Sequence, residues 1–83
     1  MKKSIYSQSY NVFLQRLKRA RKDAGLSQQD IAERIGRTQS FVSKCERGER
    51  RIDIIELRDF CSAIGIDFRQ FIAAIDRELG KKR

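Results

Sequence analysis

The chain has no histidine and no proline, and only two cysteines among its 83 residues. With histidine absent, Cys45 and Cys61 fall two ligands short of a structural zinc site, so neither a metal nor a cofactor is expected. The same absence removes the Cys-His and Ser-His-Asp constellations of nucleophilic catalysis, and no glycine-rich phosphate loop is present. The best carboxylate pair, Asp53 and Glu56, has the spacing of a helix cap. The sequence therefore reads as that of a non-enzyme. The cysteines can pair as one disulfide, yet each falls on an apolar helical face, where a reduced thiol serves as a small hydrophobe. No apolar run is long enough to span a bilayer, and the polar start, Met1 to Tyr10, is unlike a signal peptide. A soluble, cytoplasmic protein with no membrane partner is the expectation.

Acidic residues are scarce in the first half. The net charge is +8; residues 1–51 carry thirteen Lys/Arg against five Asp/Glu, whereas residues 52–83 carry six of each. One end of the molecule is basic and the other neutral. This asymmetry suits a polyanion on one side and a protein contact on the other, although a basic surface alone also suits RNA or anionic lipid. A chain this short makes one domain, burying only about 60% of the surface its unfolded form exposes.

Five glycines punctuate what remains. Gly25, Gly36, Gly48, Gly65 and Gly80 each follow a stretch with helical apolar spacing and are placed to end it in a left-handed conformation. Ser27, Thr38, Asp53 and Asp67 stand at helix starts, and Asp53 with Glu56 and Asp67 with Gln70 have capping-box spacing. The pattern predicts an all-α domain over residues 9–80 with helices near 9–24, 28–35, 39–47, 54–64 and 68–79. Residues 1–8 form a flexible lead and 81–83 a basic tail. The first helix turns Tyr10, Phe13, Leu14, Leu17, Ala20 and Ala24 to the core. Its other side, with Arg16, Lys18, Arg19 and Lys22, also fits a membrane-surface or target helix. Inside a five-helix pattern it reads as solvated or phosphate-facing.

The second and third helices are separated only by Gly36, Arg37 and Thr38, a turn short enough to force a steep crossing. On the third, Gln39, Ser40, Ser43, Lys44 and Arg47 share one arc, while Phe41, Val42 and Cys45 face away. The arc carries hydrogen-bonding groups and no acid. Gln pairs bidentately with adenine, Lys reaches guanine, and Ser is permissive, so the arc has the chemistry to read base edges.

These residues carry a resemblance. The run L-S-Q-Q-D-I-A-E-R-I-G-R-T-Q-S-F-V-S-K-C-E-R-G-E-R-R resembles the XRE, or lambda-repressor-like, helix-turn-helix family over about residues 12–72. The resemblance implies a compact five-helix fold and a regulator that binds double-stranded DNA. It implies that Gln28 contacts a phosphate and supports Gln39, that Gln39, Ser40, Ser43 and Lys44 contact bases, and that the loop with Arg50 and Arg51 contacts phosphates. Arg37 at the turn and Arg47 join the phosphate set. Phe41 stands where the family commonly has a small residue and Cys45 where it has a bulkier apolar one; Phe41 either packs inward or touches a thymine methyl.

Two further expectations concern packing. Arg21 lies about 20° from Tyr10, inside the apolar stripe, where an unpaired charge is costly. The resemblance pairs it with Glu46. Phe68, Phe71, Ile72, Ile75 and Leu79 form a stripe broader than a terminal helix needs, and Ile55 points away from the face made by Ile54, Leu57, Phe60, Cys61 and Ile64. A homodimer through Ile55, Phe71, Ile72, Ile75 and Leu79 is expected, placing its recognition helices roughly 34 Å apart. The rival reading is an antitoxin or a restriction-modification controller, whose neutral half also grips a partner protein such as a toxin.

Overall fold

A computed structural model describes residues 7–81. The described residues form five helices: α1 (Gln8–Asp23), α2 (Gln28–Ile35), α3 (Gln39–Glu46), α4 (Ile54–Ile64) and α5 (Phe68–Lys81). The flexible lead and basic tail read from the sequence fall largely outside the described residues. At their edges, Gln8 opens α1 under a Ser7 cap and Lys81 closes α5, so both residues are helical.

Each start is fixed by a side chain that accepts an amide the helix cannot satisfy itself. Ser7 accepts from the Tyr10 N–H and Thr38 from the Phe41 N–H. Ser27 and Asp30 form a full capping box, as do Asp53 and Glu56. Asp67 accepts from the Gln70 N–H at 2.9 Å. At the α2 end, Gly36 adopts φ +71° and the Arg37 N–H returns to the Ala32 carbonyl at 2.9 Å. A Cβ on Gly36 would meet open space, so the demand for glycine there is one of backbone conformation rather than room. Gly80 departs from the expected pattern. It lies inside α5 without a positive φ, and the helix runs through it to Lys81.

The core is Leu17 of α1, Ile31 and Ala32 of α2, Val42 and Cys45 of α3, Leu57, Phe60, Cys61, Ala63 and Ile64 of α4, and Phe71 of α5. Leu14 is equally buried. α2 packs on α3 and α4, α1 bridges α3 and α5, and α5 closes against α4. Both cysteines are free and buried, and desolvation pushes each thiol up to about 11. Three residues sit elsewhere than their helical angle suggests. Ala24 is the exposed C-cap of α1, and Ile54 is 59% exposed, because the core meets α4 only from Leu57 onward. Phe71 is buried at 8% exposure, with Phe13 edge-on to it at 6.3 Å, so it serves the protomer's own core and is not free for a dimer face.

Candidate nucleic-acid interface

The caps on Ser27 and Thr38 and the three-residue turn between them hold α2 and α3 as one unit, with the outer arc of α3 turned to solvent. Gln39, Ser40 and Lys44 are exposed and Ser43 is half-buried, while Val42 and Cys45 are buried away from the arc and Glu46 is buried at its edge, beside Gln39. The only acid of α3, Glu46, is thus withdrawn from the arc.

Glu46 is the hub of a chain of polar contacts that runs from the core to the surface. Arg21 donates to it twice, from Nε to Oε2 at 2.6 Å and from Nη2 to Oε1 at 2.9 Å, and its Nη1 donates to the Leu26 carbonyl at 2.8 Å. Gln28 Nε2 donates to the same Glu46 Oε1 at 3.0 Å. Gln28 Oε1 in turn accepts from Gln39 Nε2 at 2.7 Å. The first side chain of α3 is therefore oriented by a buried ion pair two residues removed along the chain of bonds. Its carboxamide oxygen and remaining N–H keep their capacity for a base edge.

The basic side chains around the arc differ in their surroundings. Arg47 donates to Glu49 through Nε and Nη2, at 2.9 and 3.1 Å, and to the Ser43 hydroxyl at 2.5 Å. The contact with Glu49 raises the Arg47 pKa further, keeping it charged. Arg50 does not pair with Glu49; its Nη1 donates to Glu56 Oε1 at 2.8 Å and to the Arg51 carbonyl at 2.6 Å. Arg37 approaches the other oxygen of Glu56 at 3.8 Å. The Arg50 hydrogen bond is the main reason Glu56 lies below the usual carboxylate range. Arg51 lies over the Tyr10 ring at 4.6 Å, and the Tyr10 hydroxyl accepts from the Ile52 N–H at 2.9 Å, tying the loop after α3 to α1.

Phe41 packs inward. Its ring stacks on Phe60 at 6.5 Å, and its outer side is covered by the guanidinium groups of Arg37 at 3.7 Å and Arg50 at 4.8 Å. The links from Gln28 to Glu46 and from Glu56 to Arg37 and Arg50 carry no signature in the sequence beyond the charges themselves. The first joins residues 18 apart and the second crosses two loops.

Among the described residues the exposed large apolar side chains lie on α4 and α5. Ile55 is 64% exposed and Ile72 38%, next to the exposed Ile54, whereas Ile75 and Leu79 are half-buried. Among the described residues no group of three His, Cys, Asp or Glu is placed to hold a metal ion. No described helix is long and apolar enough to cross a membrane.

Comparison with known proteins agrees with this geometry. A helix-turn-helix domain family matches residues 13–71. The chain is 31% identical over 58 residues to an uncharacterized HTH-type transcriptional regulator of Sinorhizobium fredii, covering 70% of this chain and 75% of that protein. An XRE-family like protein from Pseudomonas syringae pv. tomato superimposes with a TM-score of 0.82 at 44% identity, over 84% of this chain and 85% of that one. The restriction-modification controller protein C.AhdI from Aeromonas hydrophila superimposes at 0.66 with 33% identity, over 72% and 91% of the two chains. With five helices, a capped α2–turn–α3 unit and a family match spanning most of its length, the chain belongs to the XRE-type helix-turn-helix family of DNA-binding transcriptional regulators.

Proposed function

We propose that the protein recognises operator half-sites as a homodimer, each protomer laying α3 in the major groove. The observation that carries this reading is the hydrogen-bonded chain ending at Gln39. A side chain held in place before DNA arrives loses less entropy on binding and presents a defined donor and acceptor to a base. Gln39, Ser40, Ser43 and Lys44 read bases. Gln28, Arg37, Arg47, Arg50 and Arg51 grip phosphates, and the exposed Ile54, Ile55 and Ile72, flanked by Ile75 and Leu79, form the dimer contact. The test is an electrophoretic mobility shift with the DNA upstream of the protein's own gene, competed with random duplex. A shift that survives random competitor and yields to unlabelled upstream DNA supports the reading; equal competition by both removes it.

The likeness to C.AhdI, which spans 91% of that controller, favours a more specific role as the controller of a restriction-modification system. Nuclease and methyltransferase genes beside this one, with an operator in their shared promoter, are the expected finding. An isolated gene that binds only its own promoter would exclude this role and leave a free-standing repressor.

A further inference from the structure

Glu56 occupies an unusual position among the charges near α3. Its Oε1 accepts from the Asp53 N–H at 3.0 Å within the α4 capping box and from Arg50 at 2.8 Å, while its Oε2 faces Arg37. The carboxylate is fixed and mostly buried, with 16% of its side chain exposed, whereas the arginines are 42% and 43% exposed. The carboxylate is thus the sheltered partner and the guanidinium groups are the solvent-accessible ones. Both rest on the Phe41 ring, which sits about 60° round α3 from Lys44, on the flank of the reading arc rather than within it. They come from opposite ends of α3, Arg37 from the turn before it and Arg50 from the loop after it.

We propose that Glu56 is an internal competitor of DNA phosphate. It holds Arg37 and Arg50 against Phe41 in the free protein, and each arginine reaches the backbone by exchanging this carboxylate for a phosphate. The proposal rests on the DNA-binding reading above. Carboxylate and phosphate both offer anionic oxygens to a guanidinium, so the exchange replaces one charge-assisted acceptor with another. Because phosphate is the same at every step of the duplex, Glu56 lowers affinity for all sequences by one factor and leaves the preference between them untouched.

Binding of a fluorescent random-sequence duplex by wild type, Glu56→Gln, Asp59→Asn and Arg37→Ala/Arg50→Ala, with and without Glu56→Gln, tests this. Glutamine keeps the acceptor that the Asp53 N–H needs, so α4 stays capped, which a circular-dichroism melt verifies. Glu56→Gln is expected to tighten binding roughly twofold to fivefold per protomer, the range of a part-exposed ion pair. Asp59→Asn, which removes the same charge from the same helix, is expected to give less than half of that gain. In the background lacking both arginines the gain disappears. Binding by Glu56→Gln that is equal to or weaker than wild type overturns the proposal. So does a gain matched by Asp59→Asn or retained without the arginines, since either reduces the effect to net charge. A wild-type protein that binds no duplex removes the DNA-binding reading and this proposal with it, a result distinct from a DNA-binding protein indifferent to Glu56.

Discussion

Arg21 and Glu46 face each other through two parallel hydrogen bonds, at 2.6 and 2.9 Å, with only 8% and 3% of their side chains exposed. Such a pair gains little over a well-packed apolar substitute, but removing one member strands the other charge in the core. Glu46→Ala should therefore destabilise the fold by roughly 2 to 4 kcal/mol in urea unfolding. The double variant Arg21→Met/Glu46→Leu should lose much less. A loss below about 0.5 kcal/mol for Glu46→Ala would contradict the buried geometry.

Gln28 and Gln39 should fail together. On the proposed reading, Gln39→Ala should remove base hydrogen bonds and cost roughly 1 to 3 kcal/mol on the operator and little on random DNA. Gln28→Ala frees the Gln39 side chain, so the double variant should lose less than the two single losses combined, since part of the Gln28 loss passes through Gln39. Competition binding measures all three. A Gln39→Ala protein that keeps its operator preference would show that Gln39 does not read sequence.

Arg51 should behave in the opposite way. It leaves the loop after α3 over the Tyr10 ring, with no helical face directing it into a groove. Arg51→Ala should weaken operator and random DNA alike. It should also flatten the plot of log affinity against log salt by about 0.9 for each phosphate no longer neutralised, a change counted twice in a dimer. An unchanged salt slope would remove Arg51 from the phosphate set.

The proposed dimer contact is best probed away from the core. Ile75 packs against the core, so a charge there would threaten folding, whereas Ile55 and Ile72 are exposed. Ile55→Glu/Ile72→Glu should yield a folded monomer by sedimentation equilibrium, with operator affinity reduced because the two half-sites no longer bind as a unit. A dimeric mass in this variant would place the interface elsewhere.

Most of the fold is legible in the sequence because its punctuation is chemical and local. Ser27, Thr38 and Asp53 mark starts that depend on one hydroxyl or carboxylate, and Gly36 and Gly65 mark ends that depend on one backbone conformation. Gly80 misleads because glycine permits a left-handed turn without compelling one, and α5 runs through it to Lys81. Angular position on a helix says which way a side chain points, not whether a neighbour is present there. Hence Ile54 shares a face with Leu57 yet stays exposed, and Phe71 has the spacing of a dimer surface although Phe13 covers it. Among the interface residues, exposure of the α3 arc follows from periodicity. The partners of Arg37 and Arg50 do not, because several carboxylates lie within reach of so long a side chain, and only packing selects Glu56.

The bond between Gln28 and Gln39 also bears on how such a protein diverges. A change at position 39 that reverses its donor or acceptor role leaves Gln28 mismatched, and Gln28 is itself committed to Glu46. Two substitutions are then needed to restore the bond. Ser40 and Lys44, exposed on the same helix, are open to change one at a time. New operator preferences in this lineage are therefore expected to appear first at positions 40 and 44, with position 39 the last to move.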